Sequence, residues 1–312
     1  MPPLLYDTLT ETAPLSFEQT VPRAWVHKRS LDNVLLTEIR AAGDDWFICA
    51  GRLTTAHGFF NDAGRTPHND ILFYTELGRQ ASLAVCHAFL GVGTEDVFIF
   101  EGSDATVTDA AWTPAPPSAD AAVIVEIRIR ELTRRKNNAV SRVVTEHTMW
   151  IGAAQVFHGT GAFTIQPRAL FERLRRTAAT RPGSDAAAVT CTSGGNITIS
   201  TPREDEATGT FTASLIVNHT HPYFFDHPCD HVPGMLLLEG CAQLALTAFA
   251  ESTGIEAAGI AGYEVTFSQF VETALPTTLT ARVEAEVVCL VIAQHGTACG
   301  TATLRLAVPA HQ

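Results

Sequence analysis

The sequence predicts an α+β fold of two tandem units, each a long central helix wrapped by an antiparallel sheet. Three observations carry this. Ile71 to Phe89 and Met235 to Ala250 are nearly uncharged at every helical position, and a helix apolar all round is buried all round. Each follows a loop with a His and a Phe pair, His57-Gly58-Phe59-Phe60 in one case and His221-Pro222-Tyr223-Phe224-Phe225 in the other. Period-two strands come after the helices: Val123 to Leu132, Ser141 to Trp150 and Phe157 to Ile165 in the first half, and Gly262 to Phe270, Thr278 to Val288 and Gly296 to Val308 in the second. Such alternation marks half-buried antiparallel strands.

In chain order, residues 1–25 are Pro- and Thr-rich without periodicity and read as an arm. Residues 26–166 form the first unit, opening on Val26-His27-Lys28 and the segment Asn33 to Glu38. Trp46 to Ala50 and Arg52 to Thr55 read as a strand pair flanking Gly51, and Val97 to Phe100 as a strand. Arg128, Arg130 and Glu131 fall on the solvent side of their strand, and Arg134 to Asn138 form a basic hairpin tip. Residues 167–188 hold a short amphipathic helix, Pro167 to Arg176, and a small-residue linker. Residues 189–312 repeat the plan, with Ile197 to Thr201 and Thr208 to Asn218 as strands before the second helix. The unpaired edges of two such sheets would join into one continuous sheet.

At 312 residues, 46% hydrophobic and 17% charged, the chain buries one large core or two of ordinary size. A net charge of -12 argues against coating nucleic acid. The N-terminus lacks the basic start and apolar run of a secretory signal, and no stretch approaches the ~18 apolar residues of a membrane span. Seven scattered cysteines without a CxxC pair read as reduced thiols of a cytoplasmic protein.

Chemistry concentrates where polar residues interrupt the two apolar helices. Glu239 and Gln243 share one face of the second helix, and a buried carboxylate is costly unless paired, hydrogen-bonded or in use. Upstream lie His227, Asp230 and His231, and the amides of Gly234 and Met235 open the helix as oxyanion donors. In the first helix Glu76, Arg79 and Gln80 share one face, behind a loop with His57 and His68. Glu76 aligns with Glu239, Gln80 with Gln243, and Phe59-Phe60 with Phe224-Phe225. A Glu76–Arg79 ion pair is the simpler reading of that spacing, and core hydrogen bonding that of Glu239 and Gln243. His219, His221, His227 and His231 crowd thirteen positions, with His219 and His221 alternating on a strand face and His227 and His231 spaced i, i+4. Their spacing matches no zinc pattern, and no metal is expected. Cys229 has no base at a defined spacing. No GxxxxGK[ST], GxGxxG or GxSxG motif is present, so no nucleotide cofactor is implied.

The segment FFDHPCDHVPGMLLLEGCAQ resembles the signature of hotdog-fold β-hydroxyacyl-acyl-carrier-protein dehydratases. With the near-continuous NHTHPYFFDHPCDHVPGMLLLE and the Val26-His27-Lys28 opening, the chain resembles more closely the A-factor biosynthesis family of γ-butyrolactone signal synthases, built as two hotdog repeats. The resemblance implies a double hotdog and transfer of a β-ketoacyl group from acyl carrier protein, or a CoA thioester, to the hydroxyl of dihydroxyacetone phosphate or a similar acceptor. His227 or Glu76 would be the base, with Glu239 completing the catalytic set and His227 facing Glu76. Gly234 and Met235 would polarise the carbonyl, and Arg79 would meet the phosphate. Gln80, Gln243, His57, His68, Asp230 and His231 would line the substrate. The family carries an Arg before the second-helix Gln, where this chain has Ala242, so a phosphate held there would lack its cation. A hotdog dehydratase or thioesterase and a non-catalytic acyl-binding protein are the alternative classes, and the tandem repeat is compatible with a monomer or a homodimer.

Overall fold

The computed structural model describes residues 14–54, 56–60, 70–112, 121–178 and 196–308. His68, most of the N-terminal arm and the linker expected up to residue 188 lie outside them. Two compact units emerge: Met1–Phe100 with Ala105–Arg176, and Glu101–Asp104 with Thr177–Gln312.

In the first unit the strands are β1 (Leu36–Ala41), β2 (Trp46–Leu53), β3 (Val97–Val107), β4 (Ala121–Arg134), β5 (Val140–Ile151) and β6 (Ala154–Gln166). Their order across the sheet is β1-β2-β4-β5-β6-β3. Helix α1 (Ile71–Phe89) packs on β1, β2, β4, β5 and β6. Asp70 caps it by accepting a hydrogen bond from the Leu72 amide at 2.9 Å. Helix α2 (Arg168–Ala178) follows β6.

Two expectations for this unit need correction. Trp46 to Leu53 is one unbroken strand, with Gly51 inside it. There a Cβ would lie 2.6 Å from Leu77 Cδ1, so Gly51 admits the helix rather than ending a strand. The strand expected at Val97 to Phe100 runs on to Val107. Arg128 does lie on the solvent side of β4 but is largely covered, 32% of its side chain exposed, with its guanidinium 4.3 Å from the Trp46 ring centroid and its NH2 group 2.9 Å from Glu126.

The second unit holds β7 (Arg203–Asp205), β8 (Thr210–Ser214), helix α3 (Gly234–Thr253), β9 (Gly259–Phe267), β10 (Thr278–Glu284), β11 (Val287–Gln294) and β12 (Thr297–Ala307). The sheet order is β9-β12-β11-β10-β8-β7, and α3 packs on β8 to β12. The expected run from Thr278 to Val288 is the end-to-end reading of two strands, joined at Ala285 with φ 56°. A two-residue hairpin loop with positive φ at its first central residue favours Gly there, and Ala285-Glu286 hides the turn. Ile197 to Thr201 makes a single bridge, Ile199 to Leu215, rather than a strand. His219 and His221 sit in turns, not on a strand face.

The two units solve helix-on-sheet packing in opposite ways. In the first, strand Gly51 receives helix Leu77; in the second, helix Gly240 receives Leu215, whose Cδ1 would lie 2.6 Å from an added Cβ. Alanine at 240 gains about 1 kcal/mol of helix propensity but overpacks against Leu215, Leu279 and Ile199 at a cost of about 1–3 kcal/mol. Gly240→Ala is therefore expected to lower the urea midpoint, and Leu215→Ala in the same chain to restore part of the loss. Additive effects in that double-mutant cycle would contradict the contact.

Behind α1 the core contains a polar cluster. Ser82 Oγ lies 2.7 Å from His147 Nε2 and 2.9 Å from Thr145 Oγ1, all three side chains buried. Burial, aided by the nearby His158, pulls the His147 imidazole down to about 3. Unfolded, the ring titrates near 6.5. The unfolded chain therefore binds a proton that the folded chain refuses once the pH falls below about 6.5; this stability is complete above that value and is lost progressively toward pH ~3. Between pH 7 and 4.5 the loss assigned to this ring is about 2–3 kcal/mol. His147→Gln is expected to flatten the fall in urea midpoint over that interval, and an unchanged slope would clear His147.

Candidate active site

Each unit builds the same clamp between its central helix and the segment that enters its sheet. In the first, Gln80 Oε1 accepts from the Leu35 amide at 2.9 Å, while its Nε2 donates to Asn33 O and to Glu76 Oε1, both at 2.8 Å. In the second, Gln243 Oε1 accepts from the Thr198 amide at 2.9 Å, and its Nε2 donates to Asn196 O and to Glu239 Oε1, both at 2.6 Å. Both donors of each amide are thereby used. The i, i+4 spacing read from the sequence thus holds in both helices, and it orients a fully buried carboxylate in each.

The loops repeat as well. His57 Nδ1 accepts from the amides of Phe59 (3.2 Å) and Phe60 (3.4 Å), and His221 Nδ1 from those of Tyr223 and Phe224 (both 3.3 Å). An Nδ1 that accepts leaves the proton on Nε2, and the His221 Nε2 accordingly donates to Asn196 Oδ1 at 3.0 Å. Burial lowers both imidazoles, His57 to about 4 with help from Lys28, so these rings are neutral near pH 7. This shifts the internal alignment by one residue: Phe59-Phe60 matches Tyr223-Phe224, not Phe224-Phe225. His57 acts as a turn-forming side chain, and His221 is its counterpart.

Around the carboxylates the units part company. Glu76 Oε1 meets Lys28 Nζ at 3.1 Å and Arg79 at 2.9 Å, and Oε2 meets Arg79 Nε at 2.8 Å. Burial works to raise the Glu76 carboxyl, but Arg79, Lys28 and the Gln80 bond outweigh it and hold it far below the usual carboxylate range. Two cations, Lys28 and Arg79, thus meet on one buried carboxylate. Lys28 is 9% exposed, and sequence reasoning missed it. A buried Glu requires a cation, and the Val26-His27-Lys28 opening supplied one; only the pairing across the first unit was invisible. In the second helix the place of Arg79 is taken by the buried Ala242.

The second unit has instead the loop before α3. His227 keeps 42% of its side chain exposed and has Nδ1 3.6 Å from Oδ2 of the nearly buried Asp226. His231 Nδ1 lies 2.6 Å from Asp230 Oδ1, and its ring stands edge-on to Phe270. The spacing of His227 and His231 is not helical, because α3 begins only at Gly234. Pro233 precedes the helix without any side-chain cap, and its carbonyl takes the amides of Leu236 and Leu237. The amides of Gly234 and Met235 come before that first helical bond, at the positive end of the helix dipole. By contrast α1 has its N-terminus occupied by the Asp70 carboxylate. His227 and Glu76 lie in different units. Among the described residues no group of three or more His, Cys, Asp or Glu side chains is arranged to hold a metal ion. Nor is any helix among them long and apolar enough to cross a membrane.

A long buried helix laid on an antiparallel sheet, with a polar loop leading into it, defines the hotdog fold, here present twice. Solved structures agree: a candidate oleoyl thioesterase from Lactobacillus plantarum matches with TM-score 0.54 at 14% identity, covering 86% of this chain and 99% of that one. The 12:0-ACP thioesterase from Umbellularia californica matches with TM-score 0.51 at 10% identity, over 86% and 99%. The family model of the A-factor biosynthesis hotdog domain matches residues 9–157 and 184–308, and the chain belongs to that family. Among its relatives, a 2-oxo-3-(phosphooxy)propyl 3-oxoalkanoate synthase of Streptomyces virginiae is 30% identical over 72% of this chain and 76% of its own length. A protein of the same description from Streptomyces coelicolor is 29% identical, over 74% of each chain.

Proposed function

We propose that the protein transfers a β-ketoacyl group from a carrier thioester to the hydroxyl of dihydroxyacetone phosphate or a similar small acceptor. The observation that carries this reading is the similarity, over nearly three quarters of the chain, to two synthases whose described product is such a phosphorylated 3-oxoalkanoate ester. In the reaction the acyl C–S bond breaks, an ester C–O bond forms, and the hydroxyl proton passes by way of a base to the departing thiolate.

The residues of the second unit suit the acyl step. His227, exposed and next to the Asp226 carboxylate, takes the hydroxyl proton and returns it to sulfur. The Gly234 and Met235 amides receive the oxyanion of the tetrahedral intermediate. Glu239 and Gln243 position the helix that carries those amides, and Asp230 and His231 line its approach. In the first unit Arg79 is the phosphate candidate: it reaches both oxygens of Glu76, and its own side chain is 23% exposed. Glu76, held strongly ionised by Arg79 and Lys28, is a poor base and is better read as the anchor of these cations.

The test follows the carrier by intact mass in the presence of dihydroxyacetone phosphate, of unphosphorylated dihydroxyacetone, and of neither. Deacylation that requires the phosphorylated acceptor supports the reading. Equal deacylation in all three arms would indicate a thioesterase.

A further inference from the structure

Charge is distributed very unevenly along this chain. Residues 121–178 hold ten of its 21 Lys and Arg but four of its 33 Asp and Glu, a local balance of +6 in a chain of net -12. The remaining residues, with 11 basic and 29 acidic groups, carry -18. Three of the four local acids are matched inside the sheet: Glu126 by Arg128, Glu146 by Arg130 and Glu131 by Arg142. The excess therefore belongs to the β4–β5 tip, with Arg134, Arg135 and Lys136, and to α2, with Arg173, Arg175 and Arg176.

Those two elements meet at one end of the first sheet. Arg135 donates to the carbonyl of Ile165 at 2.7 Å, two residues before the Pro167 that leads into α2. Arg142 of β5 pairs with Thr164 of β6, which puts the hairpin tip beside the start of α2. Phe171 turns inward while Arg173, Leu174 and Arg176 face solvent, Leu174 at 51% exposure. A basic surface that carries an exposed apolar side chain is suited to an acidic helical partner, since the charges steer encounter and the apolar contact holds it.

We propose that the β4–β5 tip and the outer face of α2 form the docking surface for an acidic acyl carrier protein. This rests on the acyl-transfer reading above and selects a protein carrier rather than free CoA as the acyl source. The partner must be compact. The remaining residues carry -18 and disfavour an extended polyanion such as a nucleic acid or an anionic membrane.

The test is the quadruple variant Arg134→Glu, Lys136→Glu, Arg173→Glu, Arg176→Glu, with Arg203→Glu, Arg305→Glu as the control. Arg135 is left in place because it ties the tip to β6. Binding of a fluorescently labelled acyl carrier protein is read by anisotropy, and turnover is read with both β-ketoacyl carrier protein and β-ketoacyl pantetheine. The proposal expects the quadruple variant to weaken carrier binding by about ten-fold or more and to lose most of its salt dependence. KM for the carrier should rise while kcat and the pantetheine reaction stay unchanged. Carrier binding equal to that of the control, or tighter binding of a DNA duplex or phosphatidylglycerol vesicles than of the carrier, would overturn it. Wild-type protein that binds the carrier through this surface yet turns over neither donor would retain the surface and refute the acyl-transfer reading instead.

Discussion

Glu76→Ala is expected to destabilise the first unit by about 3–5 kcal/mol, the usual cost of removing one partner from a buried ion pair. The carboxylate is completely buried and accepts from Lys28, Arg79 and Gln80. Without it, Lys28, with 6% of its side chain exposed, loses its ion pair with the carboxylate, and the Gln80 amide loses one of its two acceptors. Replacing Lys28 by Met in the Glu76→Ala background should recover much of the loss, because the buried ammonium no longer has to do without the carboxylate. Urea denaturation of the two single variants and the double variant measures this. A Glu76→Ala protein as stable as the parent would show that the carboxylate is not what holds these cations. The pH dependence has a definite sign: the Glu76 carboxyl is held far below its unfolded value, so its stabilisation is present at neutral pH and is lost only as the pH falls through the acid range.

The second large effect is on rate. His227→Ala is expected to lower kcat for acyl transfer by about 10²- to 10⁴-fold, the range for removing a general base, with little change in the urea midpoint. The stability expectation follows from exposure: 42% of the side chain is open to solvent, and the loop leaves the helix to begin at Gly234. His57→Ala should behave in the opposite way. Its Nδ1 accepts two backbone amides in a buried turn, so the variant loses stability rather than the chemical step. If His57→Ala proved the slow enzyme and His227→Ala a normal one, the roles assigned to the two loops would be reversed.

How much of this was legible in the sequence varies by element, and for physical reasons. Helix α1 matches its expected limits, Ile71 to Phe89, because Asp70 supplies a cap and the apolar pattern is unbroken. The Glu-Gln pairs were legible too, since i, i+4 spacing alone puts them on one face. Strand β11 was not, because Ala285 adopts a left-handed conformation that sequence patterns assign to Gly or Asn. The next turn, His295-Gly296 with φ 50° and 72°, does carry its Gly, and β12 begins one residue beyond the expected start. The clamp partners of Gln80 and Gln243 were hidden for a different reason. They are backbone groups of Asn33, Leu35, Asn196 and Thr198, which leave no side-chain signature at 45 to 47 residues' separation. Lys28 stood in a triplet noted only for its family resemblance, although a buried Glu in the same unit already called for a cation.

The most direct measurement is the mass of the small-molecule product formed from a β-ketoacyl carrier protein and dihydroxyacetone phosphate. Acyl transfer predicts the phosphorylated 3-oxoalkanoate ester, absent with His227→Ala. Free 3-oxo acid as the sole product, formed equally well without the acceptor, would contradict it.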